Sequence, residues 1–105
     1  MKAMGPIPPW FAADAAGELL IGRRRASDLI SGAGGSPLFV YDRAIVRGQV
    51  ERFRAAFPGV ALHYAVKANP FGPLLGFLSN AVDGLDLASA GELEIVQAAG
   101  AEALP

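Results

Sequence analysis

Residues 62–70 have the sequence LHYAVKANP, and this stretch decides the fold class. Residues 60–66 are mostly apolar and contain no Asp, Glu, Lys or Arg, which is typical of a strand buried on both faces of a parallel sheet. Lys67 follows directly, and Pro70 stops the strand from continuing. The pattern predicts a buried parallel strand with a lysine at its carboxyl end.

A helix is predicted before this strand. Its apolar positions recur at intervals of four, three and four residues, which places them on one helical face: Val46, Val50, Phe53 and Phe57. Asp42 is a natural N-cap for that helix. Beyond the strand, the pattern predicts a short helix at 73–78, a strand at 84–88 and a helix at 90–99. This alternation indicates an α/β chain with a parallel sheet and right-handed crossovers.

The first third of the chain has weaker patterns. Residues 1–17 mix Pro, Ala and Gly without a period and are predicted to be an irregular lead-in. We predict a short strand at 18–22, one or two helical turns at 24–31, and a strand at the β-branched and aromatic residues 37–41. The glycine-containing loop at 32–36 lacks a phosphate-binding pattern.

Composition argues against several classes of function. The chain has 105 residues, 52% hydrophobic and 18% charged, so we expect one globular domain or part of one, too short for a complete enzyme barrel of about 250 residues. The net charge of -1 argues against nucleic acid as a partner. The lack of cysteine excludes disulfides and Cys-ligated zinc. The single histidine, His63, predicts no metal site and is interpreted as a core or interlayer residue. Because no signal peptide or membrane-spanning run is found, we predict a cytoplasmic protein without a membrane partner.

Lys67 is the sharpest candidate for chemistry. The carboxyl ends of parallel strands are where α/β folds build their sites. An amine held against apolar walls is destabilised in its charged form, and a neutral amine attacks carbonyl groups to form a Schiff base. The alternative is a strand-end lysine that extends into solvent without a chemical role. The residues alone leave both interpretations open.

Two acidic residues are further candidates. Asp86 lies in the predicted second strand between two leucines, where a buried carboxylate would need a cationic partner such as Lys67. The alternative for Asp86 is a strand-end carboxylate that faces water. Residues 89–92 fit a capping box, in which Glu92 reaches back to the amide of Ser89 at the start of the last helix. Glu92 is therefore a helix cap or a site residue.

Three strings of residues resemble one protein family. LHYAVKANP at 62–70 and GLDLASAGEL at 84–93 resemble the opening of the barrel domain in the pyridoxal-phosphate-dependent amino-acid decarboxylases of the alanine racemase-like fold. SPLFVYD at 36–42 is similar to the segment that enters that barrel. The group includes diaminopimelate, ornithine and arginine decarboxylases, and the strings are most similar to its diaminopimelate and exosortase-associated branches.

The resemblance implies a fold. This is the N-terminal portion of a (β/α)8 barrel, with about two of its β/α units present. Residues 1–35 would be a lead-in that belongs to the β-domain or entry region, and residues 36–105 would start the barrel domain, incomplete at its C-terminus. The family's ring-stacking histidine, glycine-rich phosphate loop, acid on the pyridine nitrogen and substrate-binding residues have no counterpart here. The chain is therefore expected to be a fragment that is inactive alone.

The resemblance also implies a chemistry. Lys67 would hold pyridoxal 5'-phosphate as a Schiff base, Ala65 would pack near its ring, and Asp86 and Glu92 would belong to the same wall. The reaction would remove the α-carboxylate of a small amino-acid substrate, in a full-length protein that forms a homodimer. Two alternatives remain open: an amino-acid racemase or lyase of the same fold, and a non-catalytic interaction module derived from a decarboxylase N-terminus.

Overall fold

The structure is a computed structural model that describes residues 8–100. The chain divides into two compact units, Met1–Ile45 and Val46–Pro105. The sequence places a domain boundary between residues 35 and 36, and that division stays a prediction.

The first unit contains a small antiparallel sheet in the order β1-β2-β3, followed by a short helix. These elements are β1 (Ala12–Ala13), β2 (Leu19–Ile21), β3 (Arg24–Arg25) and α1 (Ala26–Gly32). The Asp14 carboxylate forms the first turn by accepting hydrogen bonds from the amides of Ala16 and Glu18, both at 2.9 Å. Gly22 and Arg23, with φ of 58° and 65°, form the second turn, since positive φ at both central residues is the type I′ geometry that suits a two-residue hairpin. The strand and the helical turns predicted at 18–31 are confirmed.

The strand predicted at 37–41 is wrong. Residues 38–41 have no regular secondary structure and join no β-ladder in the described part of the chain. Phe39 is 87% exposed there. A sequence rich in β-branched and aromatic residues favours a strand, but the strand forms only when another segment supplies its hydrogen bonds.

The predicted amphipathic helix is confirmed as α2 (Arg43–Ala56). Asp42 precedes it, and Asp42 Oδ1 accepts a hydrogen bond from the amide of Ala44 at 2.8 Å. Gly59, with a φ of 78°, lies in the turn that follows the helix. Helical spacing and both end signals were sufficient to predict this element, because each acts locally.

The second unit contains a pair of parallel strands connected through a helix. After α2 come β4 (His63–Ala65), a 3-10 turn (Val66–Ala68), α3 (Gly72–Leu78), β5 (Gly84–Asp86) and α4 (Ala90–Ala98). β4 and β5 pair in parallel, with His63 opposite Gly84, Tyr64 opposite Leu85 and Ala65 opposite Asp86. The α/β class and the parallel pairing are confirmed. Both strands are shorter than predicted, since each has three residues and β4 gives way to the 3-10 turn at Val66.

The core of the second unit lies between the strands and the helices. Its fully buried members are Val66, Leu75, Leu85 and Val96, one from each of the 3-10 turn, α3, β5 and α4. Each such side chain contributes about 1.5–3 kcal/mol by leaving water. Because successive strand residues point to opposite faces, Tyr64 and Leu85 belong to this covered face. The opposite face of the two strands carries His63, Ala65, Gly84 and Asp86, and we call it the open face.

None of the helices in residues 8–100 has the length and apolar character that crossing a bilayer requires.

Candidate functional site

Lys67 occupies the 3-10 turn that directly follows β4. Its neighbour Val66 is fully buried in the core, whereas the Lys67 side chain is exposed and is not enclosed by apolar residues. The backbone of the turn is thus tied to the core while the amine remains accessible. The lysine lies at the carboxyl end of a parallel strand, as the sequence predicts.

Ala65 and Asp86 face each other across the two strands. They are partners in the parallel register and lie on the open face at the carboxyl ends of β4 and β5. The Asp86 side chain is 67% exposed, so the solvated alternative describes it better than a buried carboxylate does. In the described residues no ion pair joins Asp86 to Lys67, and the partner of Asp86 is His63 instead.

His63 connects the two strands on the open face. Its Nδ1 lies 3.3 Å from Asp86 Oδ1, and its ring lies over the backbone of Gly84. A Cβ atom on Gly84 would lie 2.9 Å from His63 Cε1, which is closer than real Cβ contacts. The interpretation of His63 as a core or interlayer residue is therefore wrong, since 41% of its side chain is exposed.

Sequence reasoning missed the contact between His63 and Asp86. The alternation of strand residues places His63 on the same face as Ala65, and likewise Gly84 on the same face as Asp86. The sequence does not specify the strand register. That register sets His63 opposite Gly84, two residues before Asp86 on β5.

Glu92 lies in the first turn of α4, where the predicted capping box forms with one change. Ser89 Oγ accepts a hydrogen bond from the Glu92 amide at 3.2 Å, as predicted. Glu92 Oε2 accepts one at 2.5 Å from the amide of Ala88, whereas the amide of Ser89 was the predicted donor. The Glu92 carboxylate thus fixes the chain between β5 and α4. A role for Glu92 at the cofactor stays a prediction.

A comparison with protein families identifies the class of protein. The model of the family described as "Pyridoxal-dependent decarboxylase, pyridoxal binding domain" matches residues 43–104, more than half of the chain. The matched range contains α2, both parallel strands and every residue of the open face. The chain therefore belongs to this family of pyridoxal-binding decarboxylase domains, and its cofactor is pyridoxal phosphate.

Curated relatives agree with this assignment. The chain is 42% identical over 67 residues to a diaminopimelate decarboxylase of Aquifex aeolicus, in an alignment that covers 63% of this chain and 16% of the relative. It is 41% identical over 71 residues to one of Pseudomonas fluorescens, covering 66% of this chain and 17% of the relative. A third, of Actinosynnema pretiosum, is 36% identical over 84 residues, covering 80% of this chain and 19% of the relative. The alignments thus span less than a fifth of the length of these relatives, and no solved structure matches the chain.

The described residues fit the aldehyde end of pyridoxal phosphate. Lys67 is the only side-chain amine within residues 8–100, and its exposure allows an aldehyde to reach it. Two residues of the adjacent open face are small: Gly84 lies opposite His63, and Ala65 lies opposite Asp86. This donor set provides an amine for covalent attachment and a carboxylate nearby on the neighbouring strand.

Proposed function

We propose that Lys67 holds pyridoxal phosphate covalently, through a Schiff base, in an enzyme that removes the α-carboxylate of an amino acid. The observation that carries the proposal is the place of Lys67, on the turn at the carboxyl end of β4 and beside the parallel strand β5. Sites of α/β folds form at this edge of the sheet. The matched relatives are named diaminopimelate decarboxylase, which favours diaminopimelate or a related amino acid as the substrate.

Lys67 and the residues of the open face have distinct tasks in this proposal. When bound, the cofactor supplies an electron sink for the α-carbon as carbon dioxide leaves. Lys67 Nζ binds the cofactor, and as a free amine it can hold a proton at the same strand end. Asp86, oriented by His63 Nδ1 at 3.3 Å, adds negative charge at the end of the neighbouring strand and so favours positive charge at the site. Ala65, opposite Asp86, is small enough to leave room for the ring of the cofactor.

In the proposed site Glu92 holds a segment of the site wall in place and does not contact a reacting atom. Together with Ser89 it fixes the start of α4, directly after the strand that carries Asp86. A rigid support of this kind keeps the residues that contact the cofactor in place. We assign Glu92 to the cofactor-binding wall through this ordering of the chain from Ala88 onward.

The proposal extends to the whole protein. Residues 36–105 begin a pyridoxal-binding (β/α)8 barrel, and residues 1–35 are the lead-in from the β-domain or entry region. The full-length protein works in the cytoplasm as a homodimer, and the 105-residue chain alone is inactive because phosphate-binding and substrate-binding residues lie outside it. Size measurement by sedimentation of the full-length protein tests the dimer.

Covalent trapping tests the role of Lys67. The full-length protein is mixed with pyridoxal phosphate, reduced with borohydride and mapped by peptide mass spectrometry. We expect a yellow absorbance before reduction and a pyridoxyl group on Lys67 afterwards, with both lost in Lys67→Ala. The matched control is Lys67→Arg, which keeps the positive charge but forms no Schiff base. An adduct found on Lys2, the other lysine of the chain, in place of Lys67 contradicts the proposal.

A separate assay tests whether the chain alone is inactive. We expect carbon dioxide release from diaminopimelate at no more than the rate of free pyridoxal phosphate. Faster release that disappears in Lys67→Ala contradicts this part of the proposal.

A further inference from the structure

Tyr64 and Asn69 are joined by a hydrogen bond that spans the lysine turn. Tyr64 lies in β4, and its phenol hydroxyl donates to the backbone carbonyl of Asn69 at 3.1 Å. Between the two residues lies the 3-10 turn Val66–Ala68, which contains Lys67. The hydrogen bond therefore closes a short loop of backbone with Lys67 inside it.

Asn69 extends this connection to the next helix. Its side-chain Oδ1 accepts a hydrogen bond from the amide of Phe71 at 3.1 Å, and α3 begins one residue later at Gly72. An asparagine that binds an amide two residues ahead fixes a local turn. We call the two hydrogen bonds, Tyr64 to Asn69 and Phe71 to Asn69, the lysine brace.

The brace is anchored in the core at its strand end. The Tyr64 ring packs against the buried cluster that contains Val66, which is fully buried, and Leu85. Lys67 and Ala68, the next two residues of the turn, are exposed, and Asn69 after them is half-buried. The turn is thus held from both sides, by a buried residue before the lysine and by a bonded residue after it.

We propose that Tyr64 is a positioning residue for Lys67, through the hydroxyl that closes the brace. This inference rests on the proposed function, in which Lys67 binds the cofactor covalently. An amine must approach an aldehyde in one geometry, and a backbone that is already fixed loses less conformational entropy when the bond forms. The ring of Tyr64 would fill the core equally well as phenylalanine, so the hydroxyl is the part that the brace requires.

The two lysines of the chain provide an internally controlled test. The full-length protein is mixed with pyridoxal phosphate and reduced, and the ratio of pyridoxyl groups on Lys67 to those on Lys2 is measured. Tyr64→Phe removes one hydroxyl, and we expect the ratio to fall about two- to tenfold, the equivalent of one hydrogen bond. The matched control is Tyr41→Phe, which removes the other tyrosine hydroxyl of residues 1–105, and it should leave the ratio unchanged.

Hydrogen–deuterium exchange tests the brace without cofactor. In Tyr64→Phe we expect faster exchange in a peptide that covers residues 66–71 and unchanged exchange in α4. Faster exchange throughout the second unit instead indicates a general loss of packing and overturns the inference. If Tyr64→Phe does not fold, Asn69→Ala tests the other half of the brace, with Asn69→Asp as the variant that keeps the acceptor and restores the ratio.

The outcomes separate this inference from the proposed function. Wild-type protein that shows no preference for Lys67 over Lys2 contradicts the proposed function, while exchange still decides whether the brace exists. A clear wild-type preference for Lys67 that is unchanged in Tyr64→Phe overturns the inference and leaves the proposed function standing. Faster exchange at the turn with an unchanged ratio overturns it as well, because the brace would then not serve the lysine.

Discussion

Leu62 and Asp83 bind each other twice, just before the two parallel strands begin. The Asp83 amide donates to the Leu62 carbonyl at 2.8 Å, and the Leu62 amide donates to Asp83 Oδ2 at 2.7 Å. The same carboxylate oxygen accepts from Arg54 Nη1 at 3.0 Å, while Arg54 Nη2 donates to the carbonyl of Ala81 at 3.1 Å. Asp83 therefore joins α2 to the amino ends of β4 and β5, at the end of the sheet opposite Lys67.

We predict that this connection makes the stability of the second unit depend on pH. The Leu62 amide, and after it the Arg54 guanidinium, hold the pKa of Asp83 below its ordinary value. A carboxyl group whose pKa is lower in the folded state stabilises the fold above its ordinary pKa of about 3.9. That stabilisation is lost as the pH falls through the lower pKa of the folded state. Denaturant midpoints measured from pH 7 down to pH 2 test this dependence.

Two variants of Asp83 separate its charge from its hydrogen bonds. Asp83→Asn keeps an acceptor for the Leu62 amide but loses the charge that attracts Arg54, so it should unfold at a lower denaturant concentration and with a flatter pH profile. Asp83→Ala should be less stable than Asp83→Asn at pH 7. Asp28→Asn is the matched control, because Asp28 forms a single exposed ion pair with Arg25 in the first unit. Equal midpoints for wild type and Asp83→Ala would contradict the prediction.

We predict that Gly84→Ala displaces the imidazole of His63. The new Cβ would lie 2.9 Å from His63 Cε1, so the ring must move away from Gly84, which disturbs its 3.3 Å contact with Asp86. Because the ring ends a side chain that is 41% exposed and can swing away, we expect a smaller loss of stability than the about 1–3 kcal/mol that overpacking costs in a closed core. The measurement is the free energy of unfolding from denaturant titration.

A double mutant tests whether the ring is the cause. In His63→Ala the space above Gly84 is empty, so adding Gly84→Ala should cost much less there than in the wild-type protein. The same penalty for Gly84→Ala in both backgrounds would show that its cost comes from the backbone and not from the ring.

Elements that depend on interactions between residues close in sequence could be predicted, whereas elements that depend on distant partners could not. α2 was predictable because the spacing of Val46, Val50, Phe53 and Phe57 and the cap at Asp42 are local signals. The strand predicted at 37–41 failed because its local preference is not matched by a pairing partner in the described residues.

In the candidate site, too, only the features set by neighbouring residues could be predicted. The position of Lys67 after a strand and the cap at Ser89 could be predicted from neighbouring residues. The contact between His63 and Asp86 and the brace from Tyr64 to Asn69 depend on strand register and on the path of a turn, which no local pattern in this sequence specifies. Resemblance to a family provided the cofactor, which composition and spacing alone left open.

We predict that the Ser89 hydroxyl stabilises the start of α4. Ser89→Ala removes the acceptor of the Glu92 amide and should cost about 1 kcal/mol in the free energy of unfolding. Ser89→Asp keeps an oxygen acceptor and adds a negative charge at a helix N-terminus, so its stability should stay near that of wild type. Ser89→Ala with wild-type stability would mean that the Oγ hydrogen bond contributes nothing.

Our final prediction concerns the apolar surface that the second unit leaves exposed. Phe57 and Val60 are each 52% exposed, and the rings of Phe53 and Phe57 lie 4.9 Å apart near the end of α2. Among the described residues only five hydrophobic side chains are buried: Val66, Leu75, Leu78, Leu85 and Val96. At about 1.5–3 kcal/mol each, they provide a small part of the burial that offsets the loss of chain entropy.

The 105-residue chain should therefore associate with itself or remain partly folded, since apolar patches and unpaired strand edges favour contacts between chains. Sedimentation velocity over a range of protein concentrations measures the association. Phe57→Glu places a charge in the exposed aromatic pair and should shift the equilibrium toward monomer, whereas Glu51→Gln, on the same helix but outside the pair, should not. A compact wild-type monomer with one cooperative unfolding transition, independent of concentration, would contradict the prediction, because it would mean that the small core of the second unit is sufficient for a stable fold.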